Sequence, residues 1–78
     1  MNKKELMTYI AAIVTTLDET NGSPEGIIYT AMGMNLRDYE TVRGILIDAK
    51  LVTVKGFYMT LTDEGKETAK KLNAAITK

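Results

Sequence analysis

The stretch Leu51–Gly65, LVTVKGFYMTLTDEG, decides how the rest of the chain can fold. Residues 51–54 are rich in β-branched side chains, and residues 57–61 alternate between large apolar or aromatic and more polar side chains. Both runs favour β-strands. Lys55-Gly56 lies between them and predicts the turn, because a glycine there can adopt a positive φ. The stretch therefore predicts a β-hairpin that is followed at once by a helix.

The alternation in the second strand predicts which side chains share a face of the hairpin. Phe57, Met59 and Leu61 share one face. Tyr58 and Thr60 share the other. Because an isolated two-stranded hairpin is only marginally stable in water, one of these faces has to pack against helices.

A broad apolar face characterises the first predicted helix, residues 3–18. Its first stripe, with the 4-3-4 spacing of one helix face, consists of Leu6, Ile10, Ile13 and Leu17. A second stripe beside it consists of Met7, Ala11 and Val14. Such a face predicts either a core helix that is covered on two sides or a helix whose second stripe meets another subunit.

The second helix is predicted to begin at Ser23-Pro24-Glu25 and to run to about Met32. Ser23 is a good N-cap, Pro24 suits the first helical position, and Glu25 suits the positive end of the helix dipole. Gly33 ends this helix in a left-handed conformation. A connection of only two residues then leads to the third helix.

The third and fourth helices also begin with recognisable caps. Asn35 precedes the third helix, residues 36–50, and Asp38 follows it at capping-box spacing. Thr62 precedes the fourth helix, which begins with acidic Asp63 and ends among lysines.

Composition excludes several classes of function. The chain has 78 residues, no cysteine, no histidine and a formal net charge of zero. Metal sites built on thiolate or imidazole are therefore excluded, and so is the commonest general base. No apolar run approaches the roughly 20 residues of a membrane-spanning helix. We expect one cytoplasmic domain, residues 1–78, that is not an enzyme and carries no metal or cofactor.

The order of these elements resembles a winged helix-turn-helix domain of the MarR-like and PadR-like regulators. Residues 46–52 and 56–66 are similar to the end of the recognition helix, the wing and the following helix of that superfamily. The resemblance covers residues 23–72. It implies an α+β, mostly helical fold with a three-helix core, a short two-stranded β-hairpin wing and a C-terminal helix. Lys50 stands where the family usually has a glycine.

The resemblance implies double-stranded DNA as the partner and control of transcription or replication as the role, with the third helix in the major groove. The candidate DNA-binding residues are Asn35, Arg37, Asp38, Thr41, Arg43 and Lys55. Arg37 suits a bidentate contact to guanine, and Thr41 suits a thymine methyl group or a phosphate. Arg43 and Lys55 suit phosphates, and Lys55 is the only basic residue of the wing.

An alternative comes from the charges of the third helix. Residues 36–50 carry three basic and three acidic side chains, so this surface predicts weak, salt-sensitive DNA binding per subunit unless a dimer presents two copies. The same residues fit a solvated surface or a protein-interaction module without DNA binding. We predict a homodimer, and its candidate interface residues are Met7, Val14, Leu72 and Ile76.

Overall fold

The computed structural model describes residues 1–76, and it describes the side chains of residues 1–75. Four helices and a three-stranded antiparallel sheet occupy the described residues, so the predicted α+β, mostly helical class is confirmed. In chain order the elements are α1 (Lys3–Thr20), β1 (Ser23–Pro24), α2 (Glu25–Met32), α3 (Leu36–Asp48), β2 (Val52–Lys55), β3 (Tyr58–Leu61) and α4 (Asp63–Ile76). Within residues 1–76, none of the helices has the length and apolar content needed to cross a membrane.

Two of the predicted N-caps are present, at the start of α3 before the hairpin and at the start of α4 after it. The Asn35 side chain accepts a hydrogen bond from the backbone N–H of Asp38 at 2.9 Å. The Thr62 hydroxyl accepts one from the backbone N–H of Gly65 at 3.0 Å. Each cap satisfies a backbone donor that the first turn of a helix leaves unpaired. Both predictions are confirmed.

The start of α2 differs from the prediction, because Ser23 and Pro24 form a strand. Ser23 pairs with Met59 and Pro24 with Tyr58, which makes the sheet order β1-β3-β2. The Ser23 hydroxyl donates to the Pro24 carbonyl at 3.2 Å instead of capping the helix. Pro24 has no N–H to donate, which restricts it to an edge strand such as β1. The predicted Ser23 cap is therefore wrong, and the sheet has three strands where two were predicted.

The hairpin turn lies one residue later than predicted. Lys55 pairs with Tyr58, so the loop consists of Gly56 and Phe57. Their φ angles are +54° and +62°, the positive values that a type I′ turn requires at both positions. Phe57 therefore lies in the turn and is 82% exposed, so the prediction that it shares a strand face with Met59 and Leu61 is wrong. Met59 is buried and Leu61 is partly buried, so their face of β3 is the one that packs against the core.

The core lies between α1, α2, α3, α4 and the inner face of the sheet. Its most deeply buried side chains are Ile13, Val14, Leu17, Ile28, Val42, Leu46, Met59 and Ala69. Val14 has no exposed surface and so cannot form the predicted subunit interface. Met7 is 57% exposed, whereas Leu72 packs partly buried against the core. The side chain of the fourth predicted interface residue, Ile76, lies outside the described residues.

The base of the hairpin is tightly bonded to the end of α3. Lys50 has a φ of +60° and donates its N–H to Ile47, while Leu51 donates its N–H to Leu46. This pattern is a Schellman motif, in which the left-handed position is usually a glycine. It ends α3 at Asp48, two residues before the predicted end.

Candidate functional site

The face of α3 that points away from the core is open. We call Arg37, Thr41, Gly44 and Asp48 the outward face, because they lie opposite the buried positions of the helix. Arg37, Thr41 and Asp48 are exposed. Apart from its chain neighbours and the backbone of α3 itself, no heavy atom of the described residues lies within 4 Å of the position that a Cβ on Gly44 would take. A partner can therefore approach the helix backbone closely along this face.

A buried carboxylate joins α2 to α3 beside this face. The Tyr39 hydroxyl donates to Glu25 Oε1 at 2.9 Å, and the Arg43 Nε–H donates to the same oxygen at 2.6 Å. The Glu25 side chain is almost buried, whereas the Arg43 side chain is 37% exposed. Because a buried carboxylate needs a counter-charge and donors, this arrangement accounts for the burial of Glu25.

The surroundings of Tyr39 raise its pKa well above the usual range of a phenol. Burial is the largest cause, followed by the hydrogen bond to Glu25 and the negative charge of that carboxylate, while the nearby Arg43 charge acts in the opposite direction. The Tyr39 ring also makes an edge contact with Tyr29, with ring centroids 5.4 Å apart and planes at 73°. Tyr39 is therefore held as a neutral hydrogen-bond donor.

A groove of about 600 Å³ opens between α2, the first half of α3 and the tip of the hairpin. We call it the aromatic groove, and its lining consists of Glu25, Gly26, Tyr29, Leu36, Tyr39, Glu40, Arg43 and Phe57. Leu36 is 58% exposed and Phe57 is the most exposed large apolar residue among those described. The backbone N–H of Glu25 donates to the Phe57 carbonyl at 2.8 Å, which fixes the hairpin tip to the start of α2.

The six candidate DNA-binding residues lie on α3, at its N-cap and at the end of β2. Arg37 and Thr41 lie on the outward face, and Lys55 is exposed at the end of β2, next to the hairpin turn. Asn35 and Asp38 are bonded to each other at the start of α3, through the cap and through a side-chain bond of 3.3 Å. These two residues therefore position the helix.

Arg43, the sixth candidate, is engaged by Glu25. Its Nε–H is bound to Glu25 Oε1 at 2.6 Å, and that carboxylate offsets part of its positive charge. The exposed side chains of Arg37, Glu40 and Asp48 also lie on α3, so cations and carboxylates share the surface of this helix.

Sequence reasoning missed the aromatic groove and its central carboxylate. Glu25 at a helix start has an ordinary explanation in the helix dipole, which hides its role as an acceptor. The one usable signal was the spacing of Tyr39 and Arg43, which places a hydroxyl and a guanidinium on one side of α3 at i and i+4. Two hydrogen-bond donors on the inner side of α3 require an acceptor on the element that packs against that side.

No protein-family model, curated protein or solved structure matches this chain. The site can therefore be interpreted only from its own residues and contacts.

Proposed function

We propose that the chain is a winged helix-turn-helix protein that binds double-stranded DNA in transcriptional or replicative control. The observation that carries this proposal is the open outward face of α3 beside the β2–β3 hairpin. In this arrangement α1 and β2 pack against the inner side of α3, and Glu25 joins α2 to it. The helix can then enter a major groove while the hairpin lies along the phosphate backbone. The sheet order β1-β3-β2 and the short α2–α3 connection support the same fold.

Four of the six candidate residues have distinct roles in this proposal, while Asn35 and Asp38 cap α3. Arg37 pairs with a guanine edge, and Thr41 contacts a thymine methyl group or a phosphate. Lys55 contacts a phosphate from the hairpin. Arg43 serves mainly to hold α3 against α2 through Glu25. Because so few free cations remain, we propose that a homodimer presenting two such faces supplies the affinity.

The test is an amide-shift titration of the protein with mixed-sequence duplex DNA at low and at physiological salt. We expect shifts at residues 35–44 and 54–58 that shrink as salt increases, because counterion release dominates such binding. An absence of shifts at low salt, where the electrostatic attraction is strongest, would overturn the proposal.

Single substitutions then identify the contacts. We expect Arg37→Ala to weaken binding by about 1–3 kcal/mol at sites that carry the contacted guanine, and Lys55→Ala to weaken binding to all sequences and lower the salt slope by about 1. Lys70→Ala is the matched control, since it removes the same charge from the exposed surface of α4. Equal losses in all three variants would indicate bulk charge and not contact by α3. Arg43→Ala is a poor probe, because it would strip Glu25 of its counter-charge.

A second candidate function is protein interaction, and one observation favours it. Ile27, Leu36 and Phe57 are large apolar side chains on α2, α3 and the hairpin tip, and all three are more than half exposed. Leu36 and Phe57 also line the same groove, and exposed apolar side chains that lie together mark interaction sites. Concentration-dependent shifts at these three residues without DNA would favour self-association over DNA binding by α3.

A further inference from the structure

We propose that the aromatic groove binds a small organic cation with an aromatic or branched alkyl body, such as a quaternary ammonium compound. This site is separate from the outward face of α3, and the proposal does not depend on DNA binding.

Aromatic rings are concentrated in the groove. The chain has five aromatic side chains, and three of them, Tyr29, Tyr39 and Phe57, line this one groove. Tyr39 is only 5% exposed, so Tyr29 and Phe57 supply the ring surface that a ligand can reach. The faces of aromatic rings carry negative potential and attract ammonium groups that come within about 6 Å of the ring centre. The same rings and Leu36 offer apolar surface to the body of the ligand.

The charged side chains of the lining also favour a cation. Arg43 is the only basic side chain in the described lining, and Glu25 already neutralises it at 2.6 Å. Glu40 is exposed and none of the ion pairs within the described residues includes it. The groove therefore has a net negative charge, which favours a cation and opposes an anion.

The backbone that carries the Phe57 ring is fixed at the rim of the groove. Phe57 adopts a φ of +62°, which a bulky residue rarely does, and its carbonyl accepts the Glu25 N–H at 2.8 Å. An aromatic side chain at a turn position where glycine or asparagine is usual points to a function of the ring. Because Lys55 pairs with Tyr58 and Phe57 is bonded to Glu25, the backbone of the tip needs little ordering when a ligand arrives.

The groove has the size of a small-molecule site. Its volume is about 600 Å³, within the range of roughly 300–1,000 Å³ typical of such sites. The buried carboxylate and the Tyr39 hydroxyl at its floor satisfy each other, so the ligand has to supply only apolar surface and positive charge.

The experiment is an amide-shift titration of the full chain, without DNA, using three probes that share a ring and differ in charge. The probes are benzyltrimethylammonium, neutral N-benzylacetamide and anionic benzoate. We expect saturable shifts at the groove residues and a dissociation constant at least about 5-fold lower for the cation than for the neutral probe, with benzoate weakest. Equal affinities for the three probes, or shifts elsewhere in the chain, would overturn the proposal.

Single substitutions distinguish the contribution of the aromatic rings to binding from that of the negative charge. Phe57→Gly removes the ring and relieves the left-handed backbone, so the fold is retained, and we expect about 5-fold weaker binding of the cation. Glu40→Gln should weaken cation binding about 3-fold and leave the neutral probe unaffected. Ile27→Ala is the matched control, because it removes an exposed apolar side chain outside the lining. Unchanged binding by Phe57→Gly would overturn the proposal even if the protein fails to bind DNA.

Discussion

Each end of the β2–β3 hairpin has a non-glycine residue with a positive φ, Lys50 at the base and Phe57 at the tip, but for different reasons. At the base, Lys50 has a φ of +60°, and its N–H, together with that of Leu51, caps the end of α3. The Lys50 carbonyl also accepts a hydrogen bond from the Thr62 hydroxyl. The strained Lys50 therefore takes part in the hydrogen bonds at the end of α3 and just before the start of α4.

At the tip, Phe57 has nearly the same φ but far fewer contacts. Its carbonyl accepts one hydrogen bond, from the Glu25 N–H, and its ring is mostly exposed. A glycine or asparagine would complete this two-residue loop with less strain. The comparison shows that the strained residue at the base takes part in closing two helices, whereas the type I′ turn at the tip requires the positive φ but not an aromatic side chain.

The largest effect is expected at the base, from Gly65→Ala. A Cβ on Gly65 would overlap the Leu51 carbonyl oxygen, which also accepts the Thr62 N–H. Because the overlap is with backbone, relief requires α4 to move away from the hairpin, and we expect a loss of about 3 kcal/mol in the free energy of unfolding.

The matched control for this substitution is Gly44→Ala on the outward face. It adds the same methyl group in open space within α3 and should raise the free energy of unfolding by roughly 0.5–1 kcal/mol. Urea unfolding measures both variants. Similar midpoints for the two would contradict the tight packing at the base.

A smaller loss is expected near the tip, from Glu25→Ala. The substitution leaves the Tyr39 hydroxyl and the Arg43 guanidinium without their shared acceptor. Removing one partner of a buried pair is costly, but Arg43 is more than a third exposed and water compensates part of the loss, so we expect about 2 kcal/mol. Arg37→Ala, which removes an exposed cation from the same helix, should change the free energy of unfolding by less than about 0.5 kcal/mol.

The Tyr39 hydroxyl gives the same network a pH dependence. Because folding raises the pKa of this phenol, the folded state favours its protonated form. The resulting stabilisation is complete below the ordinary pKa of 10.0 and is lost as the pH rises above it.

We therefore expect the free energy of unfolding to fall by up to about 1.4 kcal/mol per pH unit above pH 10 through this group. Urea unfolding of the native protein and of Tyr39→Phe, each measured below and above this pH, isolates the contribution. A decline of equal slope in both proteins would show that other groups cause it.

The sequence predicted those parts of the fold that local hydrogen bonding determines. The caps at Asn35 and Thr62 and the existence of the hairpin were predicted because donor and acceptor lie within a few residues of each other. Strand β1 was missed because two residues carry no periodicity and because Ser23-Pro24 also fits a helix start. The turn was misplaced by one residue because Phe57 has an aromatic side chain that favours a strand.

The candidate site was less predictable because its key contacts are distant in the chain. Glu25 is 14 residues from Tyr39 and 18 from Arg43, so no local pattern reveals that they share a carboxylate oxygen. Arg43 was predicted to be a phosphate contact because its charge is visible in the sequence, whereas its ion pair is not. Val14 was assigned to an interface because a broad apolar face does not say which stripe the rest of the chain will cover.

The smallest expected effects test the comparison most directly, through Lys50→Gly and Phe57→Gly. Each substitution relieves a left-handed backbone worth about 1–2 kcal/mol, offset by the greater freedom of glycine in the unfolded chain, so each should stabilise by roughly 0.5 kcal/mol. The two sites lie at opposite ends of the hairpin, and their effects should add in the double variant. Only Phe57→Gly should weaken binding of benzyltrimethylammonium. If Phe57→Gly instead destabilised by more than about 1 kcal/mol in urea unfolding, the ring would be holding the tip against Leu36, and its strained backbone would then have the same kind of structural explanation as that of Lys50.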